Sequence, residues 1–268
     1  MMTTYKELSS LSGRNALITG ASGGLGKVFA DTLGELGANL ILVDLPGTSL
    51  EDLALKMKEK WKVKVNHYEI DLEIEKQRKN LINNVIKELD QLNILVNNAG
   101  FVGTSELTGW NTAFEKQSIE SWRRAFEVNL TAVFELCQGF APIMKNSIGA
   151  SIVNISSIYG LLGPDWRLYA ETNMGNPAAY GASKGALIQF TRWLSTTLAP
   201  SVRVNAICPG GIFRNQPESF ITQYEHRTPM ARMAKEEDFK GALGFLVSDL
   251  SSYVTGQSLN VDGGWSAW

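Results

Sequence analysis

Residues 15–26 read Asn15-Ala16-Leu17-Ile18-Thr19-Gly20-Ala21-Ser22-Gly23-Gly24-Leu25-Gly26. The short apolar run predicts a buried strand. The glycines after it predict a tight turn that opens directly into a helix. The same unit recurs along the chain. Strands are expected at residues 15–19, 39–44, 64–71, 93–97, 150–156, 203–208 and 257–261. Helix-like spacing lies between them, near residues 25–36, 50–60, 73–89, 119–145, 178–198 and 236–248. Strand alternating with helix implies parallel strands joined by crossover helices, hence an α/β fold with a doubly wound sheet. No Pro/Gly/Ser-rich linker or internal repeat cuts the chain, so residues 1–268 are expected to form one domain.

The bulk composition narrows the function classes. The 268 residues, 44% of them hydrophobic, are enough to bury a sizeable core. Twenty-five basic against 27 acidic side chains leave a net charge of −2. That balance gives no electrostatic case for nucleic acid or an anionic membrane as partner. Cys137 and Cys208 are far apart and form no CxxC pair, which suggests a reducing, cytoplasmic setting. Residues 1–7 hold no apolar run of signal-peptide type, and no stretch approaches the ~18 apolar residues of a membrane span. His67 and His226 show no ligand spacing, so no metal site is expected.

The glycine turn has a chemical reading. At a helix N-terminus, free N–H groups and the helix dipole favour an anion, and glycines let a dinucleotide's pyrophosphate approach the backbone. Gly20, Ser22, Gly24, Leu25 and Gly26 are the candidate contacts; an ordinary loop is the alternative. The second strand ends in Val43-Asp44-Leu45, roughly 20 residues past the loop. A carboxylate there accepts hydrogen bonds from ribose hydroxyls and repels a 2′-phosphate. No arginine follows it, and the glycine loop carries no basic residue before Lys27. NAD is therefore favoured over NADP, a solvated strand end being the alternative for Asp44. Asp71-Leu72 ends the third strand and can meet adenine; Asn98, Ala99 and Gly100 end the fourth and can pass close to a ribose. Each is also at home in a plain strand-end turn.

Tyr180-Gly181-Ala182-Ser183-Lys184 is the strongest constellation. Tyrosine and lysine four apart share one helix face. A free phenol has a pKa of roughly 10; lowering it by about 3 units needs roughly 4 kcal/mol of preferential stabilisation of the phenolate. The Lys184 ammonium and the positive nicotinamide of an oxidised cofactor are expected to supply it. Tyr180 then takes or gives the alcohol proton. Ser157, at the end of the fifth strand, is expected to hold the substrate oxygen beside Tyr180. Asn129 sits in a helix-like stretch where an amide is a mediocre helix former. It is read as holding a water that links Lys184 to solvent, with a satisfied core amide as the alternative.

In this order and spacing, the residues resemble the short-chain dehydrogenase/reductase family. The resemblance rests on residues 19–26, Asp71, residues 97–100, Asn129, Ser157, residues 180–184, Pro209-Gly210-Gly211 and Thr255-Gly256-Gln257. It covers nearly the whole chain and implies a Rossmann-type, seven-stranded parallel sheet. It also implies Asn129, Ser157, Tyr180 and Lys184 as the catalytic group, with Tyr180 and Lys184 also against the cofactor and Pro209, Gly210 and Ile212 closing its far side. A homotetramer or homodimer is implied, the tetramer built through the helices that carry Asn129 and Tyr180.

Two departures bear on the substrate. Ser157 and Tyr180 are 23 positions apart, where the family has about a dozen. The insertion, about residues 158–177, is expected to border the active site, and a segment at about residues 211–234 to act as a lid. Arg214 stands where many members have a threonine. Arg167 and Arg214 are expected at the pocket, where a guanidinium suits a carboxylate or phosphate, with Trp166 and Tyr169 stacking on a sugar ring. These features, with the Gly-Gly-Trp-Ser-Ala-Trp end, look similar to oxidoreductases of flagellin-glycan and nonulosonic-acid pathways. The expected substrate is a sugar, sugar phosphate or polyol. A 3-oxoacyl-thioester reductase and a non-catalytic nucleotide sensor are the alternatives. Trp265 and Trp268 are expected at a subunit interface.

Overall fold

A computed structural model describes residues 2–102 and 107–268. Seven strands form one sheet: β1 (Asn15–Thr19), β2 (Asn39–Asp44), β3 (Val65–Glu69), β4 (Ile94–Asn97), β5 (Ala150–Ile155), β6 (Val202–Pro209) and β7 (Ser258–Val261). All pairings are parallel, in the order β3-β2-β1-β4-β5-β6-β7. The order reverses between β1 and β4. The crossovers on either side of that point leave toward opposite faces, which opens a crevice at the strands' carboxyl ends.

The helices are α1 (Tyr5–Ser9), α2 (Gly24–Glu35), α3 (Leu50–Trp61), α4 (Glu75–Glu88), α5 (Ile119–Phe126), α6 (Ala132–Lys145), α7 (Ala178–Leu198), α8 (Glu218–Arg227) and α9 (Lys240–Val247). Alternate residues of the central strands feed two cores. Ala16 and Ile18 pack with Phe29, Leu33, Phe239 and Leu243 on one face. Leu17 packs with Val85, Phe140 and Leu187 on the other. This is why the central strands read as continuous apolar runs. Strand β3, at the sheet edge, is shorter than expected, ending at Glu69; its outward residues are polar. Among the described residues no helix is long and apolar enough to cross a membrane.

Three local features differ from the sequence reading. The single helix expected over 119–145 is broken by a π-helical turn, Glu127–Thr131, between α5 and α6. Neither α1 nor α8 was foreseen. Trp265 lies in its own chain's interior, at 3% exposure, stacked on Tyr224 with ring centroids 4.3 Å apart. It therefore offers no surface for a partner, and only Trp268 stays exposed.

Candidate active site

The crevice is a cleft of about 770 Å³ at the switch point. Its floor is the glycine turn. Gly20 has φ +64°, and a side chain there would strike Ala99. A side chain on Gly26 would come within 2.0 Å of the Gly20 carbonyl. Both positions therefore require glycine for the turn to close against β4. Asn98 braces the same turn. Its amide donates to the carbonyls of Thr19 and Gly20, both at 2.9 Å, while Thr19 Oγ1 accepts from the Asn98 and Ala99 N–H groups at 3.1 Å.

Asp44 reaches across from β2. Its carboxylate accepts from the Ser22 N–H and the Leu45 N–H, each at 2.8 Å, and from the Ser22 hydroxyl. Ser22, Gly24, Leu25, Gly26 and Asp44 all line the cleft. Asp71, Leu72, Asn98, Ala99 and Gly100 line it as well. Pro209, Gly210 and Ile212 line it beyond β6. Thus each expected cofactor contact faces one space.

Tyr180, Lys184 and Ser157 meet in that space. Tyr180 and Lys184 lie one turn apart on α7, and Ser157 follows β5. Tyr180 and Lys184 share one helix face as expected, but the amine's hydrogen bond goes to a backbone carbonyl. Lys184 is buried at 4% exposure and its Nζ donates to the Ile155 carbonyl at 2.8 Å, standing 5.8 Å from the centre of the Tyr180 ring. Burial pushes the Lys184 amine down to about 8. Burial also raises the Tyr180 phenol above its ordinary value; Ser157 hydrogen bonding and the Arg214 charge oppose this without overcoming it. Desolvation thus dominates both groups: it disfavours the ammonium and the phenolate alike.

Asn129 is presented by the π-helical turn, an arrangement common where a helix is bent for function. Its Oδ1 accepts from the Phe101 N–H at 2.6 Å, and its Nδ2 donates to Ser183 Oγ at 3.0 Å. It is therefore a satisfied core amide. Its Oδ1 and the Lys184 Nζ nevertheless flank the same point beside Gly100, 3.7 and 3.5 Å from where a Cβ would stand.

Arg78 was missed from sequence. It is buried at 1% exposure, with Nε to Glu135 at 2.6 Å, Nη2 to Glu127 at 2.7 Å and Nη1 to the Leu72 carbonyl at 2.6 Å. It ties the loop after β3 to the first residue of the π-helical turn. A lone arginine on an otherwise polar helix gave no signal of this.

A second cavity, about 1040 Å³, adjoins the N-terminal turn of α7. Trp110, Phe114, Tyr159, Trp166 and Tyr169 line it, together with Asn173 and Asn176. None of the described residues lining it is charged. The 158–177 insertion forms much of its wall and packs through Leu168 and Tyr169 onto Phe220 of α8. Arg167 does not reach either cavity. It is largely exposed and grips Asp165 two residues back, with bonds of 2.8 and 2.7 Å, so the structural ion pair replaces the expected ligand contact. Arg214 lines the first cleft instead of the second, beside Glu236.

Comparisons with known proteins agree with this architecture. The family model described as Enoyl-(Acyl carrier protein) reductase matches residues 20–266. The chain belongs to the short-chain dehydrogenase/reductase family. It is an oxidoreductase of that family, acting on an alcohol or keto group. It is 33% identical to the 3-oxoacyl-[acyl-carrier-protein] reductase of Thermotoga maritima, over 95% of this chain and 98% of that one. The structure of a Leptospira borgpetersenii short-chain dehydrogenase with bound NAD+ shares 31% identity and a TM-score of 0.84, covering 99% of this chain and 97% of that one. A gluconate 5-dehydrogenase from Burkholderia cenocepacia, in complex with NADP and tartrate, shares 27% identity and a TM-score of 0.86, covering 99% and 100%.

The burial of Lys184 has a measurable consequence. A lysine whose amine is lowered in the fold destabilises it where the unfolded amine is still protonated. That penalty fades as pH rises from about 8 toward the ordinary value near ~10.4. In nucleotide-free protein, Lys184→Met is expected to raise thermal stability at pH 7, and the gain is expected to shrink by pH 10. Parallel melting curves of the two proteins across that range check it. A difference that does not change with pH would mean the amine is not desolvated.

Proposed function

We propose that this chain moves a hydride between NAD and a secondary alcohol or ketone of an uncharged sugar or polyol. The observation that carries the reading is that Tyr180, Ser157 and Lys184 line one cleft with the glycine turn and Asp44, while Tyr159 and Gly181, their neighbours in sequence, line the charge-free aromatic cavity. The nicotinamide, when bound, supplies the hydride acceptor or donor. The chain's own groups do the rest. The Ser157 hydroxyl holds the substrate oxygen. Tyr180 takes the alcohol proton in oxidation and returns it in reduction. Lys184, one turn along α7 from Tyr180, contributes a positive charge whenever its amine is protonated. Asn129 borders the small space beside Gly100 through which a water relays that proton.

Asp44 supports NAD over NADP. It already accepts three hydrogen bonds, and its charge faces the place where a 2′-phosphate would sit. The family accommodates either nucleotide, since the Leptospira borgpetersenii structure holds NAD+ and the Burkholderia cenocepacia one NADP. The preference therefore rests on this carboxylate. The aromatic walls and the amides of Asn173 and Asn176 suit the apolar faces and hydroxyls of a sugar. The lack of a charged residue among the described lining argues against the sugar phosphate or acid that Arg167 was expected to bind. The likeness to flagellin-glycan enzymes rests on the insertion, the stretch around Arg214 and the Gly-Gly-Trp-Ser-Ala-Trp end, none of which identifies a substrate.

The full chain is assigned as one catalytic domain, with the 158–177 insertion shaping the substrate cavity and residues 211–234 covering it. Exposed Phe134 of α6 and Trp193 of α7 support a homo-oligomer built through those helices. Two unpaired, buried cysteines fit the cytoplasm.

The 3-oxoacyl-thioester reductase remains the competing reading because of the Thermotoga maritima relative. Aldoses and polyols with NAD+, set against acetoacetyl thioesters with NADPH, separate the two. Tyr180→Phe is expected to lose about 10²–10⁴-fold in turnover while still binding NADH. Retained turnover would end the catalytic assignment, and a biological role that survives in the inactive variant would make the protein a sensor. Asp44→Ala is expected to raise the KM for NAD+ and relax discrimination against NADP+. An unchanged ratio of kcat/KM for the two nucleotides would remove Asp44 from that role.

A further inference from the structure

Arg214 and Glu236 sit over the first residue of α2. The guanidinium comes from the segment after β6 and the carboxylate from the turn that leads into α9. A Cβ built on Gly24 would stand 2.8 Å from Arg214 Nη2 and 2.8 Å from Glu236 Oε1. The pair is joined by a single contact, Nε to Oε1 at 3.3 Å, and the arginine side chain is 55% exposed. Its backbone is better anchored, since the Arg214 N–H donates to Gln216 Oε1 and Gln216 Nε2 donates to the Ile212 carbonyl, both at 2.7 Å.

The other cations lining the cleft are committed elsewhere. Arg124 grips Glu73 through two bonds, at 2.8 and 3.1 Å. Lys184 is buried on the Ile155 carbonyl. Among the described lining residues, Arg214 is thus the cation held most loosely.

An anion at the N-terminus of α2 changes the balance at this pair. It attracts the guanidinium and repels the carboxylate, both of which lie against Gly24. From this geometry we infer that Arg214 is a diphosphate clamp and Glu236 its resting partner. On nucleotide binding the guanidinium leaves Glu236 for the phosphate oxygens, which it can meet with paired donors. Arg214 is then a cofactor-binding residue and not the substrate contact expected from the sequence. This inference rests on the cleft binding a dinucleotide.

The two residues should act with opposite sign, which a merely structural ion pair would not produce. NADH fluorescence titration of the full protein measures it without turnover. Arg214→Met is expected to weaken NADH binding by about 10-fold or more. Glu236→Gln, which frees the arginine and removes a negative charge, is expected to tighten it. Arg214→Lys, keeping the charge without the fork, is expected to fall between wild type and Arg214→Met. Unchanged binding in Arg214→Met overturns the clamp, as does weakening in Glu236→Gln comparable to that in Arg214→Met. A wild-type protein that binds neither NADH nor NADPH would instead remove the dinucleotide reading itself, and the clamp with it.

Discussion

Lys184 puts an amine into the interior, against the carbonyl of Ile155 at 2.8 Å, at the point where α7 crosses the end of β5. Bringing a charged group out of water is costly unless it is paired, and one carbonyl is a modest partner. The surroundings show how the fold tolerates it. Ser156 Oγ donates to the Lys184 carbonyl at 2.8 Å, and Ser183 is held between the Tyr180 carbonyl and Asn129. The helix is thereby pinned to β5 and to the π-helical turn from two sides. What sits above the amine, including the Tyr180 phenol, inherits its position from that pinning.

The same burial sets the chemistry. Desolvation raises the phenol and lowers the amine. On the proposed function, such a phenol is a poor base at neutral pH until the oxidised nicotinamide adds positive charge. Arg214 is the protein charge that most lowers the phenol. A guanidinium that moves with the nucleotide would couple cofactor binding to the readiness of Tyr180, a tie that a fixed threonine in its place would not make.

Much of this was legible in the sequence, for identifiable reasons. Central strands buried on both faces must read as apolar runs, and the turn at Gly20–Gly26 admits no side chain at its two closest approaches. Residues constrained by backbone geometry therefore announce themselves. Long polar side chains do not. Arg167 and Arg214 looked equivalent in sequence. An aspartate two residues back captured the first, while a distant glutamate left the second in the cleft. Arg78 gave no signal because its partners lie 49 and 57 positions away, at Glu127 and Glu135. The π-helical turn was hidden because Glu127–Thr131 contains no proline or glycine to mark a break. The helix-like pattern through Asn129 was right about the element and silent about the bulge that aims the amide.

On the proposed function, Tyr180 becomes an effective acid–base group only when a positive ring joins it in the cleft. Phenolate absorbance, taken as the difference between wild type and Tyr180→Phe and titrated with and without saturating NAD+, addresses it directly. The phenol is expected to titrate above its ordinary ~10 in the free protein and well below that with the oxidised nucleotide bound. The same titration in both states would contradict it, as would a phenol already acidic in the free protein.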